Sequence, residues 1–162
     1  PNRLLNDRVG VARISYMEKF LKRLLPHAIV LSGGNDLGQS IDRDSTEEFL
    51  LDYAEKQGIP VLGICRGMQM MAHKAGVELR AVSEHIGVRH QVFGEICREV
   101  NSFHSFSLAD CPPGYDVIAI SKDNKIEAIR RKELPWEGWM WHPEREKPYE
   151  CADIHRLKQL FG

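Results

Sequence analysis

The chain has 162 residues, of which 43% are hydrophobic and 28% are charged, and its formal net charge is −1. This length and composition indicate one globular domain, and the balanced charge argues against the basic surface of a nucleic-acid-binding protein. The sequence contains no apolar run of membrane-spanning length and no signal-peptide pattern, so a cytoplasmic protein with no membrane partner is expected. The four cysteines lack C-x-x-C spacing, which argues against a cysteine zinc site or a redox dithiol.

The first predicted elements are helices and strands that alternate. Residues 1–10 are expected to form a loop, and apolar residues at helical spacing predict an amphipathic helix over residues 16–25 that Pro26 ends. A short apolar run predicts a buried strand at 28–31, followed by a Ser-Gly-Gly-Asn-Asp turn. The next helix is predicted to start at residues 44–48, with a hydroxyl or carboxylate side chain such as that of Asp44 as its cap and acidic residues in its first turn, and to end near Gly58.

A second buried strand is expected at residues 59–64, and a helix follows it to about Gly76. The remainder of the chain is predicted to contain strands at 88–92, 97–101, 116–121, 126–130 and 139–141 and a closing helix at 153–161. Alternating strands and helices in the first half predict an α/β fold, with a mainly parallel sheet covered by helices on both faces and a small antiparallel part. In such a sheet the functional site lies at the carboxyl ends of the strands.

The most informative stretch is residues 63–67, Gly-Ile-Cys-Arg-Gly, between the second strand and its helix. Glycines at two residues before and after Cys65 are typical of the elbow that exposes a nucleophile on a strained turn. The N-terminus of the following helix is expected to lower the pKa of the thiol. A buried structural cysteine is the alternative, and other motifs must decide.

One such motif is His142-Pro143-Glu144, which follows the last predicted strand. In an extended segment, side chains two residues apart point the same way, so Glu144 could hold the tautomer of His142. A base oriented in this manner is what a cysteine nucleophile requires. The alternative is a surface His and Glu beside a proline turn.

Backbone N–H groups near the elbow could form an oxyanion hole. The glycine pair at 33–34 allows a backbone N–H to point into the cleft, where the N–H of Arg66 would join it. Gln69 is one helical turn beyond Cys65 and could contact a substrate or simply cap a polar pocket.

Three histidines are candidate ligands of a substrate or a metal. His104 is as compatible with an ordinary loop position as with a substrate contact. His85 and His90 lack a cysteine or carboxylate partner at ligand spacing, so no metal site is expected.

Four motifs in this order resemble the class I glutamine amidotransferase superfamily, and more narrowly its gamma-glutamyl hydrolase branch. They are residues 31–36 (Leu-Ser-Gly-Gly-Asn-Asp), 63–69 (Gly-Ile-Cys-Arg-Gly-Met-Gln), 100–104 (Val-Asn-Ser-Phe-His) and 141–144 (Trp-His-Pro-Glu). The resemblance runs from about Ala28 to the C-terminus. It implies a flavodoxin-like fold and hydrolysis of a gamma-glutamyl amide through a cysteine thioester, without metal or organic cofactor.

The resemblance also implies roles for individual residues. Cys65 would be the nucleophile, His142 the general base and acid, and Glu144 the residue that orients it. Gly34 and Arg66 would donate to the oxyanion, and Gln69 would contact the glutamyl group. Further substrate contacts are expected at Asn35, Arg89, His90, Ser102 and His104.

Within the branch, the chain looks most like gamma-glutamyl-CDP-amidate hydrolases, which act in the modification of bacterial capsule sugars. The alternatives are a gamma-glutamyl-GABA-type hydrolase, a glutaminase subunit that feeds ammonia to a synthetase, and a non-catalytic thiol sensor. A homodimer and a synthetase partner are both left open. Residues 1–162 are expected to form a single domain that lacks the strand and helix with which family members open.

Overall fold

The computed structural model describes residues 15–162. Helix α1 occupies residues 15–24 of this range, and three further helices follow: α2 Ile41–Gln57, α3 Arg66–Lys74 and α4 Cys151–Phe161, with a short 3-10 helix at Pro143–Arg145. The predicted helices are thus confirmed. The loop predicted for residues 1–10 lies outside the described range. Within that range, none of the helices has the length and apolar character needed to cross a bilayer.

Helix α2 begins three residues before the predicted start at Asp44. The Asp44 carboxylate does not cap the helix, because it accepts hydrogen bonds from the Gly38 N–H, at 2.9 Å, and from the Arg66 side chain. A residue chosen as a helix cap from its type therefore serves a tertiary contact instead.

Nine strands are described: β1 Ile29–Leu31, β2 Val61–Ile64, β3 Leu79–Ala81, β4 Ile86–Gly94, β5 Arg98–Phe103, β6 Phe106–Leu108, β7 Tyr115–Ser121, β8 Ile126–Arg131 and β9 Trp136–Trp139. Seven of them form one mixed sheet in the order β1-β2-β9-β8-β7-β4-β5, and β3 pairs with β6 in a separate antiparallel sheet. Strands β1, β2 and β9 are parallel, and the neighbours beyond β9 are antiparallel. The predicted α/β fold is confirmed, and its antiparallel part is larger than expected.

Helices cover both faces of the sheet, as alternation along β2 illustrates. Val61 belongs to the core beneath α2 and α3, which also contains Leu51 and Met68. Leu62 and Ile64 belong to the opposite core, against which Leu157 of α4 packs. Successive side chains of a strand point to opposite faces, so one strand contributes to both cores.

The last strand is β9, Trp136–Trp139, and the prediction of a strand at 139–141 is wrong. The ladder requires Gly138 at its centre, where a Cβ would lie 2.7 Å from the Met68 side chain. After Trp139 the chain leaves the sheet, and Trp141 stacks on Trp139 with ring centroids 5.4 Å apart. This exit carries the next residue, His142, beyond the carboxyl end of the sheet.

Candidate active site

The Cys65 elbow joins β2 directly to α3. Cys65 has φ 50° and ψ −103°. A residue other than glycine keeps a positive φ only where the surrounding structure holds its backbone in that conformation. The flanking glycines permit the turn through close packing. A Cβ on Gly63 would lie 2.6 Å from the Gly67 backbone, and one on Gly67 would lie 2.1 Å from the Leu31 carbonyl oxygen. The strained turn predicted from the glycine spacing is confirmed.

The surroundings of the Cys65 thiol on balance favour its protonated form. Its side chain is buried, and this burial raises the pKa of the thiol to about 11, although the Arg66 N–H and the positive charge of Arg145 act in the opposite direction. The expected lowering contribution of the helix N-terminus is present in the Arg66 N–H, but burial outweighs it, because loss of hydration disfavours the thiolate more strongly. At neutral pH the thiol keeps its proton and requires a base to remove it.

A base is available in His142, which follows β9. Its Nδ1 lies 2.6 Å from Glu144 Oε1, so the ring is held by the carboxylate. His142 itself has an extended backbone, but Pro143–Arg145 form a 3-10 turn rather than the extended segment that was predicted. The turn, not strand alternation, brings the two side chains together. Within residues 15–162, Nε2 of His142 makes no hydrogen bond and is free to exchange a proton.

Asn101 of β5 fixes the backbone of His142 from both sides. The His142 N–H donates to Asn101 Oδ1 at 2.9 Å, and Asn101 Nδ2 donates to the His142 carbonyl at 2.8 Å and to Glu146 Oε1 at 2.7 Å. Asn101 lies in the Val-Asn-Ser-Phe-His motif, from which no role for it was predicted. The sequence feature that could have indicated this role is the polar amide of Asn101 within a segment that otherwise has the composition of a strand.

The Gly33–Gly34 loop packs against the same histidine, since a Cβ on Gly33 would lie 2.5 Å from His142 Cε1. Arg43 Nη2 donates to the carbonyls of Ser32, at 2.8 Å, and Gly33, at 3.0 Å. The Gly33 carbonyl and the Gly34 N–H belong to one planar trans peptide and point in opposite directions. By holding the carbonyl, Arg43 fixes which way the Gly34 N–H points.

Arg43 belongs to a largely buried arginine–carboxylate cluster of Arg43, Asp44, Glu47 and Arg66. Arg43 Nε donates to Glu47 at 2.7 Å, and the Arg66 guanidinium donates to both Glu47 and Asp44. Arg66 is only 1% exposed. The cluster ties α2 to the elbow and to the glycine loop, so it positions two parts of the site at once. The sequence predicted only a backbone role for Arg66.

Gln69 and Asn35 flank the elbow differently. Gln69 is 3% exposed, and its Nε2 donates to the Phe106 carbonyl at 3.0 Å, which leaves its carbonyl oxygen for a ligand. Asn35 is exposed on the loop that follows Gly34. Both positions are compatible with the substrate contacts expected of them.

The other expected substrate contacts are engaged within the protein. Arg89 donates to Glu99 at 2.7 Å and to Glu146 at 2.9 Å. Ser102 is fully buried and donates to the His85 carbonyl at 2.7 Å, and His104 is 2% exposed.

His104, His85, His90 and Glu127 form a second, largely buried group, the histidine–glutamate cluster. Glu127 carboxylate oxygens lie 3.5 Å from His85 Nδ1, from His90 Nε2 and from His104 Nε2. The sequence-based statement that His85 and His90 lack a carboxylate partner is therefore wrong. Glu127 is distant from them in the chain, and only the sheet brings it alongside.

A buried thiol on an elbow, a carboxylate-held histidine and a loop with an oriented N–H are the parts needed to transfer an acyl group. The model of the glutamine amidotransferase class-I family matches residues 3–154. The chain belongs to this family.

Several members of the class-I glutamine amidotransferase family are similar to the chain. The gamma-glutamyl-CDP-amidate hydrolase of Campylobacter jejuni is 36% identical over 91% of this chain and 74% of that protein. A subunit of the glutamine-hydrolyzing GMP synthase of Thermococcus kodakarensis is 28% identical over 88% of this chain and 79% of that protein. These relatives support amide cleavage of the hydrolase type.

Solved structures show the same fold. A Thermoplasma acidophilum protein described as a GMP synthase subunit matches with a TM-score of 0.71 at 20% identity, covering 84% of this chain and 71% of that one. A glutamine amidotransferase of Thermotoga maritima matches with a TM-score of 0.63 at 18% identity, covering 81% of this chain and 61% of that one.

Proposed function

We propose that this protein hydrolyses a gamma-glutamyl amide through a thioester on Cys65, and that its substrate is a gamma-glutamyl-CDP-amidate. The hydrogen bond of 2.6 Å between His142 and Glu144, beside a cysteine on a strained elbow, carries the proposal for the chemistry. The 36% identity to a gamma-glutamyl-CDP-amidate hydrolase supports the choice of substrate. By the same similarity, the products are glutamate and cytidine diphosphoramidate, used in the modification of capsule sugars.

The first half of the proposed reaction forms the thioester. His142 Nε2 takes the proton of the Cys65 thiol, and the sulfur attacks the gamma-carbonyl carbon of the substrate. This base is required because burial raises the pKa of the thiol to about 11. Glu144 accepts a hydrogen bond from the Nδ1–H of His142 and stabilises the imidazolium.

The tetrahedral intermediate carries a negative charge on oxygen, which the N–H groups of Gly34 and Arg66 would stabilise. One such donor is typically worth about 3 kcal/mol of transition-state stabilisation. The intermediate collapses when His142 gives its proton to the leaving nitrogen, and the carbon–nitrogen bond breaks. Water then attacks the thioester with His142 as its base, releasing glutamate and restoring the thiol.

A second candidate function is to supply ammonia to a synthetase, as the glutaminase component of a two-protein enzyme. The observation that favours it is the 28% identity to a GMP synthase component. Such a protein would act on glutamine and would need its synthetase for full activity.

The test is an assay of free glutamate with three substrates: a gamma-glutamyl-CDP-amidate, gamma-glutamyl-GABA and glutamine. We expect rapid release from the first without any partner protein. Faster release from gamma-glutamyl-GABA would assign the other hydrolase type, and activity on glutamine alone would favour the glutaminase component. Absence of activity on all three would contradict the proposal and point to a thiol sensor.

Cys65→Ser tests the mechanism within the same assay. We expect the rate to fall by a factor on the order of 10⁴ or more, because the nucleophile acts as a unit with its base. Cys111→Ser is the matched control, since Cys111 is half-buried and far from the elbow in sequence, and it should retain the parental rate. Residual turnover by Cys65→Ser near the parental rate would rule out Cys65 as the nucleophile.

A further inference from the structure

Three potential ligand atoms of the histidine–glutamate cluster form a small triangle. His85 Nδ1 lies 3.2 Å from His104 Nε2, and Glu127 Oε1 lies 3.5 Å from each of them. His85 is 4% exposed, His104 is 2% exposed and Glu127 is fully buried. All three side chains are therefore largely shielded from solvent.

The outward-facing nitrogens of both histidines already have acceptors. His104 Nδ1 lies 3.0 Å from the Phe106 carbonyl, which can only accept a hydrogen bond, so Nδ1 carries the proton. His85 Nε2 lies 3.1 Å from the Asp123 carboxylate and carries its proton in the same way. In the neutral rings, the two nitrogens that face Glu127 are then lone-pair acceptors.

The centre of the triangle consequently lacks a donor. Both carboxylate oxygens of Glu127 are buried without a hydrogen-bond partner among residues 15–162, and so is His90 Nε2. A buried carboxylate without a partner is costly to leave uncompensated, and the contacts of 3.5 Å are longer than ordinary hydrogen bonds. Either an added proton or a cation must occupy the middle.

The spacing agrees with a metal ion. Zinc bonds of about 2.0–2.2 Å to nitrogen and oxygen at tetrahedral angles place neighbouring ligand atoms roughly 3.3–3.6 Å apart. The three observed separations, 3.2, 3.5 and 3.5 Å, match this edge length. The outward hydrogen bonds to a carboxylate and a backbone carbonyl are the outer contacts that metal-binding histidines usually make.

We propose that His85, His104 and Glu127 bind a divalent transition-metal ion, for which Zn²⁺ suits the donors best. Imidazole nitrogen with one carboxylate oxygen is a ligand set for zinc rather than for calcium or magnesium. His90 Nε2 lies 3.5 Å from the other carboxylate oxygen of Glu127, Oε2, beside the proposed ligand set. Glu127 and Asp123 together supply two negative charges near a doubly charged ion.

An entry path exists beside the site. A cleft of about 400 Å³ is lined by His85, His90 and Asp123 together with Ser83, Glu84, Ser121 and Lys122. The proposed ligand His85 thus borders the opening, and His104 and Glu127 lie behind it.

The proposed ion would brace the polar side of the active site. It would connect β8, which carries Glu127, with the start of β4 and the β5–β6 connection, where His85 and His104 lie. His104 and Gln69 both donate to the Phe106 carbonyl. The ion would therefore stabilise the structure that holds Gln69, without taking part in bond breaking.

The experiment measures zinc binding directly and needs no substrate. Protein carrying Cys97→Ser and Cys151→Ser, which removes two exposed thiols that could bind zinc adventitiously, is stripped with EDTA and titrated with ZnCl₂ against a chromophoric chelator. We expect one Zn²⁺ per chain. At a hundredfold excess of ZnCl₂ over Kd, the Tm should rise by about 5–10 °C.

Variants locate the ion. Glu127→Gln and His104→Gln should abolish stoichiometric binding and the Tm shift, whereas His155→Gln, which removes an exposed histidine of α4, should retain both. Asp123→Asn changes a half-exposed residue outside the ligand set and should weaken zinc binding about 10- to 100-fold. This variant keeps the test decisive where a ligand variant does not fold.

Cys65→Ser should bind zinc like the parent, which separates this site from the thiol of the elbow. Failure to bind ZnCl₂ or to shift the Tm would overturn the proposal and assign a proton to the triangle. Loss of binding in Cys65→Ser or His155→Gln, with retention in Glu127→Gln, would also overturn it. None of these outcomes depends on whether the protein cleaves a gamma-glutamyl amide.

Discussion

Two polar clusters in the interior flank the active site, and they differ in whether donors meet acceptors. In the arginine–carboxylate cluster, the guanidinium groups of Arg43 and Arg66 face the carboxylates of Glu47 and Asp44. In the histidine–glutamate cluster, the two ring nitrogens of His85 and His104 face a buried carboxylate whose oxygens make no hydrogen bond among residues 15–162. Both clusters are largely hidden from water.

The difference indicates different uses. A cluster whose charges are paired internally is complete and serves to hold elements in place, here α2, the elbow and the glycine loop. A cluster of converging acceptors is incomplete and requires a proton or an ion. Burying charge is costly in both clusters. In the arginine–carboxylate cluster the charges compensate one another and hold the structure in place, whereas in the histidine–glutamate cluster the compensation must come from a bound proton or ion.

Arg66→Met should have the largest effect on stability. Removal of the cation leaves Asp44 and Glu47 with fewer partners in the interior, so we expect the free energy of unfolding to fall by about 3–5 kcal/mol, measured by urea denaturation. Arg130→Met is the control, because its ion pair with Glu95 is surface-exposed and worth less than about 1 kcal/mol. Equal losses in the two variants would remove the distinction between the buried and the exposed pairs.

Arg43→Met tests whether the complete cluster orients the glycine loop. If the protein is the proposed amidase, kcat should fall about 10- to 100-fold with little change in KM, less than the roughly 10²- to 10³-fold that loss of an oxyanion donor itself costs. Lys56→Met, at the exposed far end of the same helix, should leave both constants unchanged. A change confined to KM would mean that Arg43 contacts the substrate instead of positioning the Gly34 N–H.

Glu127→Gln should have the smallest effect on the free energy of unfolding, and in contrast to Arg66→Met it should not lower it. In EDTA at pH 8, the new amide N–H can donate to the acceptors on His85 and His104, so we expect unfolding free energy to be unchanged or raised by up to about 1 kcal/mol. Glu137→Gln is the matched buried control. Glu137 accepts from Arg156 and Trp139, so this change should destabilise by about 1–3 kcal/mol. Destabilisation of metal-free Glu127→Gln beyond that of Glu137→Gln would show that the cluster already has its donors.

The elements nearest the elbow could be predicted because their determinants are local. The glycines at 63 and 67 required a tight strand-to-helix turn, Pro26 stopped a helix, and the apolar runs placed β1 and β2. The pairing of His142 with Glu144 was also anticipated, although through an extended segment instead of the 3-10 turn that forms it.

The thiol pKa was not predictable in this way. The helix N-terminus beside Cys65 is a local feature, but the burial that outweighs it is a sum over side chains from several strands. Likewise Asn101 lies on β5, which three strands separate from β9 in the sheet, so only the tertiary fold brings it to His142.

The sequence by itself therefore determined the α/β framework and the three residues Cys65, His142 and Glu144 as a candidate site, since glycine spacing, hydrophobic periodicity and short motifs act between near neighbours. Tertiary structure alone decided which charges are satisfied: Arg43 on the Gly33 carbonyl, and Glu127 against His85 and His104. Electrostatic and hydrogen-bond partners depend on distances of a few ångströms between residues far apart in the chain, and only the packed fold sets those distances.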